Sequence, residues 1–247
     1  MTMRDLWEAW LRLLFPVPCL LCAGPLAVGA AGGVCAPCWA ALPRLPPACC
    51  AACGRPLPPS TPGSEDPRPT CGACLRRPPP YALARAALPY GEAGPVRALV
   101  LALKHGRRLA LAAPLARLMH AEAPGRVDVT AFDALVPVPL HWRRRWGRGF
   151  NQAAALAEGL GRSAGRRVLR RALVRVRSTV PQAGDAAARR DNVRGAFAVP
   201  SPAAVEGRRL LLIDDVYTTG ATVGECARVL RASGAVAVGV YTLARVT

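Results

Sequence analysis

The chain has one lysine, Lys104, and few acids: 15 Asp and Glu stand against 33 Lys and Arg in 247 residues. With no lysine after a glycine-rich turn, a Walker-type nucleotide loop is excluded, because that loop places an ammonium on the terminal phosphates. Histidine is nearly as scarce, with three in all. His105 has no carboxylate or cysteine at a useful local spacing, so it is assigned no general-base role. A long unbroken apolar run is also missing. Leu13 to Val34 carries no charge, yet three prolines and four glycines interrupt it, and Cys19 and Cys22 lie inside it. A membrane span or secretory signal needs a continuous apolar core. Leu20-Leu21 before Cys22 also lacks the small residue of a lipoprotein signal. The expectation is a chain with no membrane span that resides in the cytoplasm, where thiols stay reduced.

Arginine is what abounds. Residues 1–80 hold seven Arg against four acids, whereas residues 81–247 hold twenty-six basic residues against eleven acids, within a formal net charge of +18. Such an excess favours polyanions, either phosphorylated small molecules or nucleic acid, without choosing between them. Genome composition alone also produces an Arg-rich, Lys-poor surface.

Nine of the ten cysteines fall between Cys19 and Cys74, in four C-x-x-C pairs: Cys19/Cys22, Cys35/Cys38, Cys50/Cys53 and Cys71/Cys74. Two residues between ligands let a tight turn aim both sulfurs at one ion, so the repeated spacing predicts thiolate zinc sites, with about two ions per chain. Cys49 stands beside Cys50, and spacing does not decide which of the two ligates. No hydrophobic period persists between Cys19 and Cys74, so metal must substitute for a core there. Pro78-Pro79-Pro80 is a stiff boundary. The expected organisation is an N-terminal helix and double zinc-ribbon region over 1–80 and a second domain over 81–247.

Beyond residue 80 the pattern changes. Tyr81–Tyr90 reads as a strand or two with a turn, Ala131–Val138 as a buried strand, and Val168–Val176 as a less bounded one. Val96, Leu99, Val100 and Leu103 recur at helical spacing, as do apolar residues in Leu109–Met119, Asn151–Gly161 and Thr222–Ala232. Arg209–Ile213 and Ala235–Leu243 are apolar strands, and the polar, non-periodic stretch Arg177–Gly195 reads as a mobile loop. Strand and helix in alternation predict an α/β fold with a mainly parallel sheet flanked by helices, its ligands beyond the carboxyl ends of the strands.

The sharpest signal is Ile213-Asp214-Asp215-Val216-Tyr217-Thr218-Thr219-Gly220-Ala221-Thr222. An apolar strand delivers two carboxylates to its end, then a hydroxyl-rich turn around Gly220 opens a helix. Backbone N–H groups of such a turn suit a phosphate dianion. The acids suit a sugar diol and the edge of a magnesium shell. Together they describe a ribose 5-phosphate; the alternative is that Asp214 and Asp215 merely end a strand or cap a helix. Arg143, Arg144, Arg145 and Arg148 make a cationic knot fit for pyrophosphate oxygens, with Arg148, between two glycines, the chosen ligand. Lys104 either reaches substrate phosphate or ends a helix in solvent. Cys226 shares a helical face with Val223, Ala227 and Leu230 and belongs to the core.

The motif Ile213–Thr222 resembles the phosphoribosyl-pyrophosphate motif of type I phosphoribosyltransferases. The wider order of motifs resembles the ComF family of competence-associated proteins: Cys35-Ala-Pro-Cys-Trp39, Leu103-Lys-His-Gly106, Val136-Pro-Val-Pro-Leu-His141, Arg148-Gly-Phe-Asn-Gln152 and Gly195-Ala-Phe197. The resemblance implies a type I phosphoribosyltransferase-like sheet in which Asp214 and Asp215 face the ribose hydroxyls, with Val216 beside them. Thr218, Thr219, Gly220, Ala221 and Thr222 would wrap the 5′-phosphate, with magnesium on the pyrophosphate. It also implies a link to natural transformation, with single-stranded DNA or a protein of the competence machinery as partners. Three functions follow: a phosphoribosyltransferase acting on an unidentified acceptor, a catalytically silent nucleic-acid adaptor, and a sensor of phosphoribosyl pyrophosphate. The adaptor draws support from the seven Arg between Arg162 and Arg177, a run without an acid.

Overall fold

The computed structural model describes residues 17–27, 29–58, 69–104, 108–140, 149–178 and 186–247. The expected N-terminal helix, read over residues 3–14 from Leu6, Trp10, Leu13 and Leu14 at helical spacing, lies outside them, as do His105 and the cationic knot with Arg148. Seven strands are present among the described residues: β1 (Leu83–Tyr90), β2 (Ala134–Pro137), β3 (Arg167–Val168), β4 (Val174–Arg175), β5 (Phe197–Ala198), β6 (Arg209–Tyr217) and β7 (Ala237–Val246). The helices are α1 (Ala36–Ala40), α2 (Gly72–Arg76), α3 (Pro95–Lys104), α4 (Ala112–Glu122), α5 (Gln152–Ala164), α6 (Ala186–Val193) and α7 (Ala221–Ala232).

Five strands form one sheet in the order β1-β7-β6-β2-β3, each neighbouring pair parallel, while β4 and β5 make a small antiparallel ribbon. The central strands are apolar on both faces because helices cover both. Leu135, Leu211, Ile213, Tyr241 and Leu243 pack with α3, α4 and α5, and the Tyr241 hydroxyl donates to the Met119 carbonyl at 2.6 Å. Leu210, Leu212, Val238 and Val240 pack instead with Val223, Cys226 and Leu230 of α7. From β2 the chain crosses through α5 toward β3, and from β6 it crosses through α7 on the other face toward β7. The order therefore reverses between β2 and β6, and their carboxyl ends border the crevice where open α/β sheets bind ligands.

Four elements differ from the sequence expectation. The strand expected over Val168–Val176 is two short ones, β3 and β4, which belong to different sheets. β6 continues through Tyr217 instead of ending at Ile213, because β7 pairs with it as far as Arg245; the twin acids thus sit on the strand itself. β7 correspondingly runs to Val246. Within Arg177–Gly195, residues 186–193 form a helix rather than a loop. That helix packs on α7, and the Gly195 N–H donates to Glu225 Oε1 at 2.8 Å. Its sequence shows no apolar stripe, so only the tertiary contact reveals it.

The cysteine-rich region packs on two different parts of the sheet domain. Cys19, Val34 and Leu42 join the apolar layer of α3 and α4. Cys50, Cys53 and Cys74 join Tyr81 and Ala84 beside the outer strand β1. There the Ala84 N–H donates to the Ala52 carbonyl at 2.7 Å, and Arg85 Nη1 donates to the Ala51 carbonyl at 3.0 Å. Gly54 comes so close that a Cβ on it would strike the Ala84 carbonyl oxygen.

Candidate functional site

β6 carries Asp214, Asp215 and Val216 to the crevice, and Thr218, Thr219 and Gly220 turn the chain into α7. Gly220 has φ +77°, and a Cβ there would strike the Tyr217 hydroxyl; both facts demand glycine. The N–H groups of Thr218, Thr219 and Gly220 donate to no protein group among the described residues, and Gly220 caps α7 without a side-chain hydrogen bond. Donors left open at the positive end of a twelve-residue helix favour an anion. The Thr219 hydroxyl meets the Ala221 N–H at 3.5 Å, at the margin of hydrogen bonding.

The two acids have separate surroundings. Asp215 Oδ1 lies 2.9 Å from Lys104 Nζ, at the end of α3. Lys104 is thus on the acid side of the site. Asp214 is partly buried and its Oδ1 accepts the Asp215 N–H at 2.8 Å. Burial, then the neighbouring Asp215 charge, pushes the Asp214 carboxyl up to about 7 against the opposing pull of Lys104. Asp214 therefore changes charge near neutrality. Cys226 is fully buried behind it in α7 and burial raises its thiol far above the ordinary range, which suits a core residue.

Beside the turn lies a cleft of about 730 Å³, bounded by Thr218 and Thr219 on one wall and by Arg55, Cys71 and Arg77 of the cysteine-rich region on another, with Arg190 of α6 at its edge. Of the arginine run, Arg170 pairs with Glu158 of α5 at 2.6 Å, Arg175 stacks over the Phe197 ring at 5.3 Å, and Arg177 donates to the carbonyls of Asn192 and Arg194. Part of that run therefore braces the fold.

The eight paired cysteines assemble as two quartets, Cys19/Cys22/Cys35/Cys38 and Cys50/Cys53/Cys71/Cys74, with all sulfurs of a quartet within 4.8 Å of one another. A tetrahedral ion with metal–sulfur bonds of about 2.3 Å holds its sulfurs about 3.8 Å apart. The Cys22–Cys35 and Cys53–Cys71 sulfur pairs are each 3.8 Å apart. Backbone N–H groups point at the sulfurs, as Cys35 to Cys19 at 3.4 Å and Cys71 to Cys50 at 3.3 Å. The Cys35 N–H chiefly holds the Cys19 thiol down at about 6. At Cys50, burial opposes, but N–H donors led by Cys71 prevail and bring it to about 6 as well. Both quartets have the donor set and spacing of structural zinc. Cys50, not Cys49, is the member of the second; Cys49 pairs with Pro56 through a backbone bridge.

The sequence alone does not single out Tyr81 and Arg245. Arg245 stacks over the Tyr217 ring at 4.8 Å, and the Tyr217 and Tyr81 hydroxyls are 2.7 Å apart. All three residues are buried beneath the threonine turn. Tyr217 lies within the motif, but nothing in the pattern around residue 245 marks an arginine as its partner.

Residues 10–75 match the double zinc ribbon domain family. The DNA utilization protein YhgH of Escherichia coli K12 is 37% identical over 237 residues, covering 94% of this chain and 99% of that protein. Competence protein F of Haemophilus influenzae is 32% identical, covering 94% and 98%. Competence protein ComFC of Bacillus subtilis is 39% identical over 112 residues, 45% of this chain and 44% of that protein. Among solved structures, the glutamine phosphoribosylpyrophosphate amidotransferase of B. subtilis is similar over 53% of this chain and 25% of that one, with TM-score 0.37 and 22% identity. No helix among the described residues is long and apolar enough to cross a membrane.

Proposed function

The chain belongs to the ComF family of competence proteins, and we propose that its Asp214–Thr222 segment binds phosphoribosyl pyrophosphate in the service of DNA uptake. The observation that carries this reading is the turn itself. Three open N–H donors stand between an acid-tipped central strand and the N-terminus of α7, at the point where the strand order reverses. The 5′-phosphate takes the N–H groups of Thr218, Thr219 and Gly220 and the hydroxyls of Thr218, Thr219 and Thr222. The ribose diol donates to Asp214 and Asp215, with Lys104 balancing the second carboxylate.

Displacement at ribose C1 would follow, with pyrophosphate leaving and a nitrogen nucleophile of an unidentified acceptor arriving. Asp214 and Asp215 hold the ring and offset positive charge as it develops. Arg148 is assigned to the pyrophosphate. Magnesium bound with the ligand supplies positive charge for the leaving group. One free carboxylate, Asp214, fits a magnesium ion held mainly by substrate oxygens and water, since Asp215 already pairs with Lys104.

The test is calorimetric titration with phosphoribosyl pyrophosphate and magnesium. Binding is expected in the native protein and lost in the Asp214→Asn/Asp215→Asn double variant, and equal binding in both would refute the assignment. A second reading, single-strand nucleic-acid binding, draws support from the arginines along the cleft beside the turn, Arg55, Arg77 and Arg190. It predicts steeply salt-dependent binding that survives the double substitution.

A further inference from the structure

We infer that Tyr217, Arg245 and Tyr81 are positioning residues that couple the second cysteine quartet to the phosphate turn, so that metal at Cys50/Cys53/Cys71/Cys74 sets the turn's affinity for phosphate. This deepens the reading of the turn as a phosphate site and rests on it.

The connection is continuous and buried. Arg245 is 3% exposed, and its Nη1 donates to the carbonyl of Cys53, a member of the quartet. Its guanidinium lies over the Tyr217 ring at 4.8 Å. The Tyr217 hydroxyl is 2.7 Å from that of Tyr81 and sits against Gly220, so closely that a Cβ there would strike it. One side chain thus touches the metal knuckle and the tyrosine that floors the turn. A thiolate quartet locked on an ion gives the Cys53 carbonyl a fixed position, and Arg245 transmits that position to Tyr217 and Gly220. Without metal, the anchor loosens and the open N–H groups of the turn lose their common aim.

Charge adds a second contribution. No carboxylate among the described residues pairs with Arg245, and its Nε is buried with no hydrogen-bond partner among them. A buried cation left without a counter-ion is costly, and it lines the same cleft as Thr218 and Thr219. Its field reaches the place where a phosphate dianion arrives. Among the described residues, no such chain of contacts joins the first quartet to the turn. Arg126 serves as a control: its Nη2 donates to the carbonyl of Leu45, a member of neither quartet, at 2.9 Å, and it pairs with Glu122 of α4.

Linkage makes the coupling reciprocal: if metal strengthens phosphate binding, phosphate must tighten metal binding by the same factor. The equilibrium partition of zinc between the full-length protein and a competing chromogenic chelator is measured with and without phosphoribosyl pyrophosphate, alongside titration of the same ligand. Ligand is expected to protect one of two zinc ions, so that more chelator is needed to withdraw it. Arg245→Met is expected to abolish that protection and weaken binding about tenfold, the size of one or two buried hydrogen bonds. Arg245→Lys should recover part of the affinity through its charge, and Arg126→Met should change neither quantity. Tyr81→Phe, which keeps the ring and drops one hydroxyl, serves if Arg245→Met does not fold, and should cost a few-fold in affinity. Binding without any protection of zinc would overturn the coupling. If the native protein binds no phosphoribosyl pyrophosphate, the site reading fails, and the coupling is judged separately on the amide resonances of Thr219 and Gly220. Those resonances should move when zinc is removed from the native protein and move less in the variants; resonances that stay still would refute it.

Discussion

The two cysteine quartets share one chemistry and differ in what lies against them. The first hands Cys19, Val34 and Leu42 to the apolar layer of α3 and α4, and none of the three lines the cleft beside the threonine turn. The second leans on the outer strand β1 and forms a wall of the cleft beside that turn. A C-x-x-C pair specifies how sulfurs meet an ion; it does not specify what the knuckle will face. The same motif thus completes a core in one place and borders a candidate site in the other.

Substitution tests that comparison most severely at Cys50, which is fully buried. Cys50→Ser should lower zinc from about two ions per chain to about one by metal analysis and destabilise the β1 side. Cys49→Ser should leave the metal content unchanged. Loss of zinc in both variants would redraw the second quartet.

Leu42→Ala probes the first region. Emptying a buried leucine position typically costs about 2–5 kcal/mol, read as a lower denaturant midpoint, while phosphoribosyl-pyrophosphate affinity should stay within about twofold for a fully folded protein. A large affinity loss would erase the distinction between the two regions.

Gly220→Ala acts at the turn. A left-handed conformation costs a residue with a Cβ about 1–2 kcal/mol, and Tyr217 must also move. Affinity should fall several-fold or more while zinc content stays constant.

The mildest effect is in pH. Asp214 sits at about 7 through burial and the Asp215 charge. On the proposed reading, in which Asp214 accepts diol hydrogen bonds as a carboxylate, affinity should rise up to about tenfold between pH 6 and 8, at one unit per 1.4 kcal/mol. Asp214→Asn should flatten the profile. For stability the sign is opposite. A carboxyl raised in the folded state contributes fully below its unfolded value near 4 and loses that contribution as pH climbs through about 7. Asp214→Asn should therefore stabilise the free protein above pH 7 and change little below pH 4, by denaturant titration at each pH.

The parallel sheet was legible in the alternation of apolar strands and amphipathic helices, because burial on both faces leaves runs such as Leu210–Ile213. The eight paired cysteines were legible because ligand spacing is local. α6 was not, since its helix is held by docking on α7 rather than by an apolar stripe of its own. Nor was the pairing of Lys104 with Asp215, which joins residues distant in the chain.

By itself, the order of residues determined the repeating strand–helix architecture, the thiol spacing and a hydroxyl-rich turn behind two acids, all consequences of short-range geometry and periodic burial. Tertiary structure alone decided which C-x-x-C pairs share a quartet, which of Cys49 and Cys50 joins one, and which quartet borders the turn. It also placed Arg245 and Tyr81 beneath Tyr217. Which quartet borders the turn, and where Arg245 and Tyr81 sit, depend on how β1, β6 and β7 lie side by side; contacts such as Tyr81–Tyr217 and Cys53–Arg245, more than a hundred positions apart, leave no periodic trace in the chain.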